Sequence, residues 1–375
     1  MDKGKVSVII PVYNAQPYLK EALDSILRQS YENMEIFLIE CGSDDKSMEI
    51  VEKYGKKDSR IRILEEEKLT PGTARNCGLE SAEGEYFLFV DADDYLPDDQ
   101  IVEQLVMVSE KTDCDIAVCN YERLWDQEFL PATGHRAFSM LDRNSEEFRF
   151  RGFFSVGTLS YVWGKLYKRE FLEKNALKFS EFEYAEDKLF NLQCYICGAG
   201  YAFVETVGYI YRKNEQSVSH QYKEQSSRCW LGIAEALELW ISEQQEPEDP
   251  GKAGRDDRYD TLSRYIIFFA AFFDAKMEYM EHKKSLRAVW KILKIYGKDE
   301  AGRACFRDLL KDPHIRELSQ PMWRVMIKGF AFGMKMHFFA GLSLGIKLLI
   351  DLKIDERLSD TGLRKKKNKI TATTK

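Results

Sequence analysis

Short apolar runs alternate with stretches of helical periodicity through the first half of the chain. Val6-Ser7-Val8-Ile9-Ile10 is β-rich and is ended by Pro11. From Pro17 to Gln29, Leu19, Leu23, Ile26 and Leu27 recur at the spacing of one helix face, with Pro17 suited to a first turn. Ile36-Phe37-Leu38-Ile39 predicts a second strand, followed by a helix from about Lys46 to Tyr54. Ile61 to Leu64 predicts a third strand, and Thr70-Pro71-Gly72 opens a helix carrying Ala74-Arg75-Asn76-Cys77-Gly78. Tyr86 to Val90 is an unbroken apolar and aromatic run, the pattern of a strand buried on both faces. Asp115 to Asn120 reads as one more strand. The alternation predicts an α/β fold with a parallel sheet, whose ligand crevice lies at the carboxyl ends of the strands.

From about Ser226 the pattern changes. Leu231 to Trp240, Tyr259 to Met280 and Leu286 to Tyr296 carry helical periodicity with few strand signals, and the acidic, Pro- and Gly-containing stretch Gln244 to Asp257 reads as a linker. Met322 to Leu352 is apolar but interrupted by Arg324, Lys328, Lys335, His337 and Lys347, so no stretch reaches the length that spans a bilayer. The expected division is an α/β domain over 1–222 and a mainly α-helical region with a basic tail over 223–375. Two readings of the second part stay open. It packs on itself or on a second subunit as a homodimer, or it lies on a membrane surface. In the second reading its lysines snorkel, and the tail Arg364-Lys365-Lys366-Lys367-Asn368-Lys369 sits near anionic lipid.

Charge narrows the chemistry. A net charge of −7 argues against nucleic acid as a partner, so any phosphate must be handled locally. The eight cysteines are scattered, and Met1-Asp2-Lys3-Gly4-Lys5 leads into a strand without a secretory pattern; reduced thiols in a cytoplasmic protein are expected. Cys194-Tyr195-Ile196-Cys197 has ligand spacing, but no second pair follows and its helical pattern is apolar, which favours core packing over zinc. No G-x-x-x-x-G-K-[ST] or G-x-G-x-x-G occurs, which removes the main support for an ATPase or a dinucleotide oxidoreductase. The run Tyr86 to Val90 leads directly into Asp91, Asp93 and Asp94. Carboxylates this close repel unless a cation lies between them, and hard ions such as Mg²⁺ or Mn²⁺ prefer such ligands. Alone, the cluster is equally a polar loop or a helix cap. Glu186-Asp187 opens a further helical pattern with Leu189, Phe190, Leu192 and Cys194 on its apolar side, and acids in a first turn also serve as dipole partners.

Four motifs then occur in order: Val6-Ser7-Val8-Ile9-Ile10-Pro11-Val12-Tyr13-Asn14, Gly42-Ser43-x-Asp45, Ala74-Arg75-Asn76-x-Gly78-Leu79, and Gly84-Glu85-Tyr86 leading to Asp91-Ala92-Asp93-Asp94. Together they resemble the family 2 glycosyltransferases of GT-A fold, over about residues 5 to 220. The resemblance implies a nucleoside-diphosphate sugar donor, usually of uridine. Pro11 and Tyr13 would lie in the loop that holds the base, with Tyr13 stacked on it. Arg75 would sit near base or diphosphate, Asp91 at the ribose, and Asp93 on a Mn²⁺ or Mg²⁺ ion bridging the phosphates. Asp94 would orient the loop or the acceptor. The family usually carries two acids before Gly-Ser in the second loop; here those positions are Glu40 and Cys41, and a thiol is a poor acceptor. Glu40 or Asp45 then substitutes, or base recognition is looser, or the donor carries another base.

Further along, Tyr161-Val162-Trp163-Gly164-Lys165-Leu166-Tyr167-Lys168-Arg169 is similar to family members. Trp163 is expected in the core or the pocket wall. Lys165 either contacts acceptor or phosphate or is a solvated lysine at a helix start. Glu186-Asp187-x-x-Phe190 looks like the family's catalytic segment, with Asp187 as general base and Glu186 orienting its surroundings, which implies inversion at the anomeric carbon. In relatives the stretch with Arg212 and His220 covers the diphosphate; both are phosphate candidates, and His220 could complete the metal shell. The resulting expectation is a metal-dependent, inverting hexosyl- or N-acetylhexosaminyltransferase. It would add a single sugar to a hydroxyl of a cell-surface glycan or lipid-linked acceptor, in the cytoplasm, either free or peripheral at the inner face of the membrane. The alternative is a nucleotide-sugar-binding or scaffold protein with a weakened donor site, for which Cys41 is the main argument.

Overall fold

The structure, a computed structural model, describes residues 2–67, 69–125, 127–131, 161–213, 224–243, 258–281, 285–317 and 321–352. Its centre is an eight-stranded sheet in the order β3-β2-β1-β4-β7-β5-β6, with β8 paired to β5. The strands are β1 (Asp2–Val12), β2 (Met34–Glu40), β3 (Ile61–Glu65), β4 (Gly84–Phe89), β5 (Ile116–Trp125), β6 (Glu128–Pro131), β7 (Lys165–Lys168) and β8 (Tyr201–Arg212). The first four are parallel to one another, as expected. The sheet as a whole is mixed, because β7 runs antiparallel to both β4 and β5, while β8 is parallel to β5. The expectation of a parallel sheet therefore holds for one half only. β7 inserts between β4 and β5 from the opposite end.

Alternation along the strands makes two apolar layers. Val6, Val8, Ile10, Ile36, Leu38, Tyr86 and Leu88 face one side, where α1 (Leu19–Leu27) and α4 (Ile101–Thr112) cover them. Ile9, Phe37, Ile39, Phe87 and Phe89 face the other, against α3 (Pro71–Ser81) and α6 (Glu186–Ile196). The remaining helices of this half are α2 (Ser47–Lys57) and the short α5 (Arg169–Lys174). At the amino ends of the strands, the buried Glu35 carboxylate accepts from the Ser7 hydroxyl and from the backbone N–H groups of Glu83 and Gly84. Gly84 is required there: a Cβ would lie 2.5 Å from Ser7 Oγ and 2.7 Å from the Lys5 carbonyl.

The last third is helical: α7 (Glu224–Glu243), α8 (Arg258–Glu281), α9 (Leu286–Lys298), α10 (Glu300–Leu309), α11 (Pro321–Lys335) and α12 (Phe339–Asp351). Ser285 and Asp299 cap α9 and α10 by accepting from the Ala288 and Gly302 amides. The apolar interior of these helices is continuous with the layer beneath α6, through Leu231, Leu237, Phe268 and Phe330. The linker expected over Gln244–Asp257 and the basic tail lie outside the described residues. Among the described residues no helix is long and apolar enough to cross a membrane. All eight cysteines are free thiols, and Cys194 is buried in the core, as its apolar helical pattern predicts.

Candidate active site

Two loops at the carboxyl ends of β1 and β2 are braced against each other. The Asn14 and Ala15 amides donate to Ser43 Oγ and Ser47 Oγ, and the Asp44 amide donates back to Asn14 Oδ1. Asp45 accepts from the Gln16 and Ser47 amides, at 3.0 and 2.8 Å. Burial works against its charge, but these hydrogen bonds hold the carboxyl below its ordinary value. Glu40 accepts from the Gly42 and Ser43 amides, with Gly42 at φ 81°. Both acids thus shape the loops through backbone amides. Above them the Tyr13 ring is 60% exposed, the position a stacking residue needs. Pro11, in the last turn of the strand ladder, pairs with Ile39.

Cys41 does not face this loop surface. Its side chain is buried with Ile39 and Ala74, and its thiol donates to the Ile39 carbonyl. Burial, helped by the Glu40 carboxylate, pushes the thiol up to about 11, so it stays protonated. A carboxylate in that orientation would have to be desolvated.

The central feature is Arg75. Thr70 caps α3 and Pro71 occupies its first turn, which directs Arg75 inward. One guanidinium nitrogen donates to Glu186 Oε1 at 2.7 Å and another to Asp91 Oδ1 at 2.8 Å. The ring of Phe179 lies 5.5 Å from the guanidinium carbon. Burial opposes the charge on Arg75, and the two carboxylates more than restore it. The close approach of α3 to α6 depends on Gly72, where a Cβ would meet the Ser180 carbonyl at 2.6 Å and Glu186 Cγ at 2.9 Å. Arg75 therefore joins the acids after β4 to the acids opening α6, segments far apart in the chain. Both of its donor ends face carboxylates of the protein.

Within the loop after β4, Asp94 is buried. It accepts from the Tyr209 hydroxyl at 2.8 Å and from the Arg212 amide at 2.7 Å. Burial raises its carboxyl well above the ordinary value, and Asp93 and Asp91 raise it further. The Asp91 amide donates to the same Tyr209 oxygen. Asp94 is placed to orient the loop, one of its two expected roles. Asp91 and Asp93 are partly exposed. Arg212 reaches the same loop, but its Nε donates to the Asp93 carbonyl and its terminal nitrogen pairs with Glu21 at 2.6 Å. Its guanidinium also lies over the rings of Tyr18 and Tyr95. It holds the loop to α1 in this state.

Trp163 is buried in an aromatic stack, 4.5 Å from Tyr209 and 4.4 Å from Tyr161, with Tyr121 edge-on. It is wall rather than contact surface. Lys165 departs from both of its expected roles. It lies in β7 and not at a helix start, its side chain is sealed, and its ammonium donates to the Tyr161 carbonyl. Burial lowers it to about 7, with the Asp187 carboxylate pulling the other way. It has no surface with which to touch a phosphate.

Asp187 stands in the first turn of α6, after Ala185 at φ 59°. It is partly exposed, and its Oδ1 accepts from the Lys188 amide. Burial pushes its carboxyl up to about 7; Glu186 adds to the rise and Arg75 opposes it. A partly exposed carboxyl raised to this range is able to take up and release a proton near neutral pH. His220 lies outside the described residues. Among the described residues no group of three or more His, Cys, Asp or Glu side chains closes a metal cage. Of the carboxylates after β4, Asp94 is buried with both oxygens already accepting and Asp91 is paired with Arg75. Sequence reasoning missed Tyr209, Gly72 and Phe179; nothing in Tyr209-Ile210-Tyr211 pairs it with Asp94.

Comparison with known proteins adds to this geometry. The profile described as "Glycosyl transferase family 2" matches residues 7–175. The putative glycosyltransferase EpsH of Bacillus subtilis is 28% identical over 252 residues, 66% of this chain and 72% of EpsH. The glycosyltransferase GlyG of Streptococcus pneumoniae is 30% identical over 225 residues, 57% of this chain and 72% of GlyG. A crystal structure of Staphylococcus aureus TarS 1-349 in complex with UDP-GlcNAc superposes with a TM-score of 0.66 at 20% identity. It covers 93% of this chain and 92% of that one, a likeness of fold. The GT-A architecture, with its helical C-terminal part, is the observed fold.

Proposed function

Because the chain belongs to glycosyl transferase family 2 and is a glycosyltransferase, we propose that it moves a single sugar from a uridine-diphosphate donor to a hydroxyl, with inversion. The observation that carries this reading is the Arg75 bridge, which brings Asp91 and the Glu186-Asp187 turn together. Tyr13 stacks on the base over the braced loops. Asp91, fixed by Arg75, accepts from the ribose. A divalent ion, Mn²⁺ or Mg²⁺, held by Asp93 and the donor phosphates would stabilise the charge that builds on the leaving diphosphate. TarS carries UDP-GlcNAc in its crystal structure, which supports a uridine donor and makes an N-acetylhexosamine the first sugar to try.

The acceptor hydroxyl loses its proton to Asp187 as its oxygen bonds to the anomeric carbon, and the bond from that carbon to the diphosphate oxygen breaks. One displacement on one face inverts the centre. Glu186, held by Arg75, keeps the turn in place. The acceptor class we favour is a cell-surface glycan or its lipid-linked precursor. The poised Asp187 favours transfer over a protein that only binds the donor.

Melting curves with UDP-GlcNAc, with and without Mn²⁺, test binding, since a ligand of the native state raises the melting temperature. Asp187→Asn should keep that rise while UDP release in the presence of glycoside acceptors falls roughly 10²–10⁴-fold, the usual worth of a general base. Unchanged release in the variant removes Asp187 from the role. A shift with guanosine- but not uridine-diphosphate sugars reassigns the base.

A further inference from the structure

The helices α11 and α12 lie beyond the family profile, which ends at residue 175. Their surface is unlike the rest of the molecule. Of the sixteen large hydrophobic side chains exposed among the described residues, eight fall between Met322 and Leu352. On α11 and the residue that follows it they are Met322, Val325, Phe332 and Met336, 53 to 72% exposed. Their spacing of three, seven and four residues, with Gly329 between, makes a single stripe along the helix. Nothing lies within 4 Å of where a Cβ on Gly329 would be. Phe338 projects from the turn between the helices, and Leu344, Leu348 and Leu352 continue at four-residue spacing along α12.

The opposite side of α11 is already used. Ile327, Phe330, Ala331 and Met334 are buried, and the Phe330 ring packs edge-on against Phe268 at 5.3 Å. A helix that is apolar on both sides in a water-soluble bundle has a second nonpolar environment to meet. Charge identifies it. From Ser319 to Ile350 the chain carries Arg324, Lys328, Lys335 and Lys347 and no Asp or Glu, in a protein of net charge −7. On a helical projection Arg324, Lys328 and Lys335 line one flank of the stripe. Lys347 is tied to Asp351 and Tyr279 on α12 and α8.

We propose that the outer face of α11 and α12 docks on an anionic lipid surface. The apolar stripe and Phe338 enter the acyl boundary, and the flanking cations meet the headgroups. A second copy of the chain fits less well: an isologous contact would bring this one-signed fringe against its own like charges. Docking here is independent of which donor or base the transferase site uses.

Flotation of the full chain with phosphatidylcholine vesicles, with and without phosphatidylglycerol, tests the proposal. The wild type should float with the anionic vesicles. Val325→Ser combined with Phe332→Ser, at exposed positions, should lower partition at least about tenfold without changing the melting temperature. Lys328→Glu combined with Lys335→Glu should abolish the preference for phosphatidylglycerol, an effect added salt should mimic. Wild-type protein that stays unbound, or either pair binding as the wild type does, overturns the proposal. So does a dimer in sedimentation that the Ser pair splits while vesicles remain unbound, which would make the face a self-interface.

Discussion

The acids after β4 and the acids opening α6 are both crowded, yet they are held in opposite ways. Asp94 is tied on both oxygens, by the Tyr209 hydroxyl and the Arg212 amide, and Asp91 is tied to Arg75. Fixed in this manner, they shape a loop. Asp187 instead accepts from the amide of its neighbour Lys188, is partly exposed, and sits near neutrality because burial and Glu186 disfavour its charge. Anchored acids make a binding surface, whereas a destabilised one is able to take a proton. Arg75 links the two groups, pairing with Asp91 on one side and Glu186 on the other.

The strongest way to break that contrast is Arg75→Met. Removing one partner of a buried charge pair leaves carboxylates unpaired and costs roughly 3–5 kcal/mol. A lower melting temperature and a loss of transfer are expected. Because Arg75 opposes the rise at Asp187, the variant should also need a higher pH to reach its remaining activity. Unchanged stability would mean that the bridge is not what holds α6 to β4.

Titration sharpens the same contrast. An unfolded Asp187 has the ordinary carboxyl value of 3.8, and the folded one is raised to about 7. The folded state therefore binds the proton more tightly, and this group's contribution to stability falls as pH rises from about 4 to about 7. Transfer moves the other way, climbing about tenfold per pH unit below about 7 as the base becomes ionised. Melting temperature and initial rates across that range check both signs. Asp187→Asn should flatten its share of the stability profile, while a transfer profile without a limb near neutrality would assign the base elsewhere.

Much of the architecture is legible because burial on two faces writes itself as an unbroken apolar run, as in Ile36–Ile39, and burial of a helix face as a helical period, as in Leu189–Leu192. β7 was not: its four residues include a lysine at each end, and only the partners β4 and β5 make Lys165-Leu166-Tyr167-Lys168 a strand. The same tertiary burial turned Lys165 from a surface contact into a sealed cation. At the site, residue types were readable but pairings were not. Arg75 meets Glu186 across 111 residues, and nothing local in either segment encodes that contact. Cys41 likewise read as a missing acceptor until its side chain was seen to lie beneath the loop.

The smallest expected effect comes from Tyr13, and it separates the donor side from the chemistry. Tyr13 is 60% exposed and stands on loops braced by Asp45 and Ser47 rather than on the acids. Stacking of a base on an aromatic face is worth about 1–3 kcal/mol. Tyr13→Ala should therefore raise the KM for UDP-GlcNAc roughly tenfold or more and weaken the thermal shift, consistent with that range. Its melting temperature without ligand should match the wild type, because the ring packs on little. Above all, the pH limb set by Asp187 should stay where it is, since Tyr13 lies outside the Arg75 network. A displaced limb would show that the loops after β1 and β2 are electrically coupled to the turn at α6, and that the anchored and poised acids are not two separate devices.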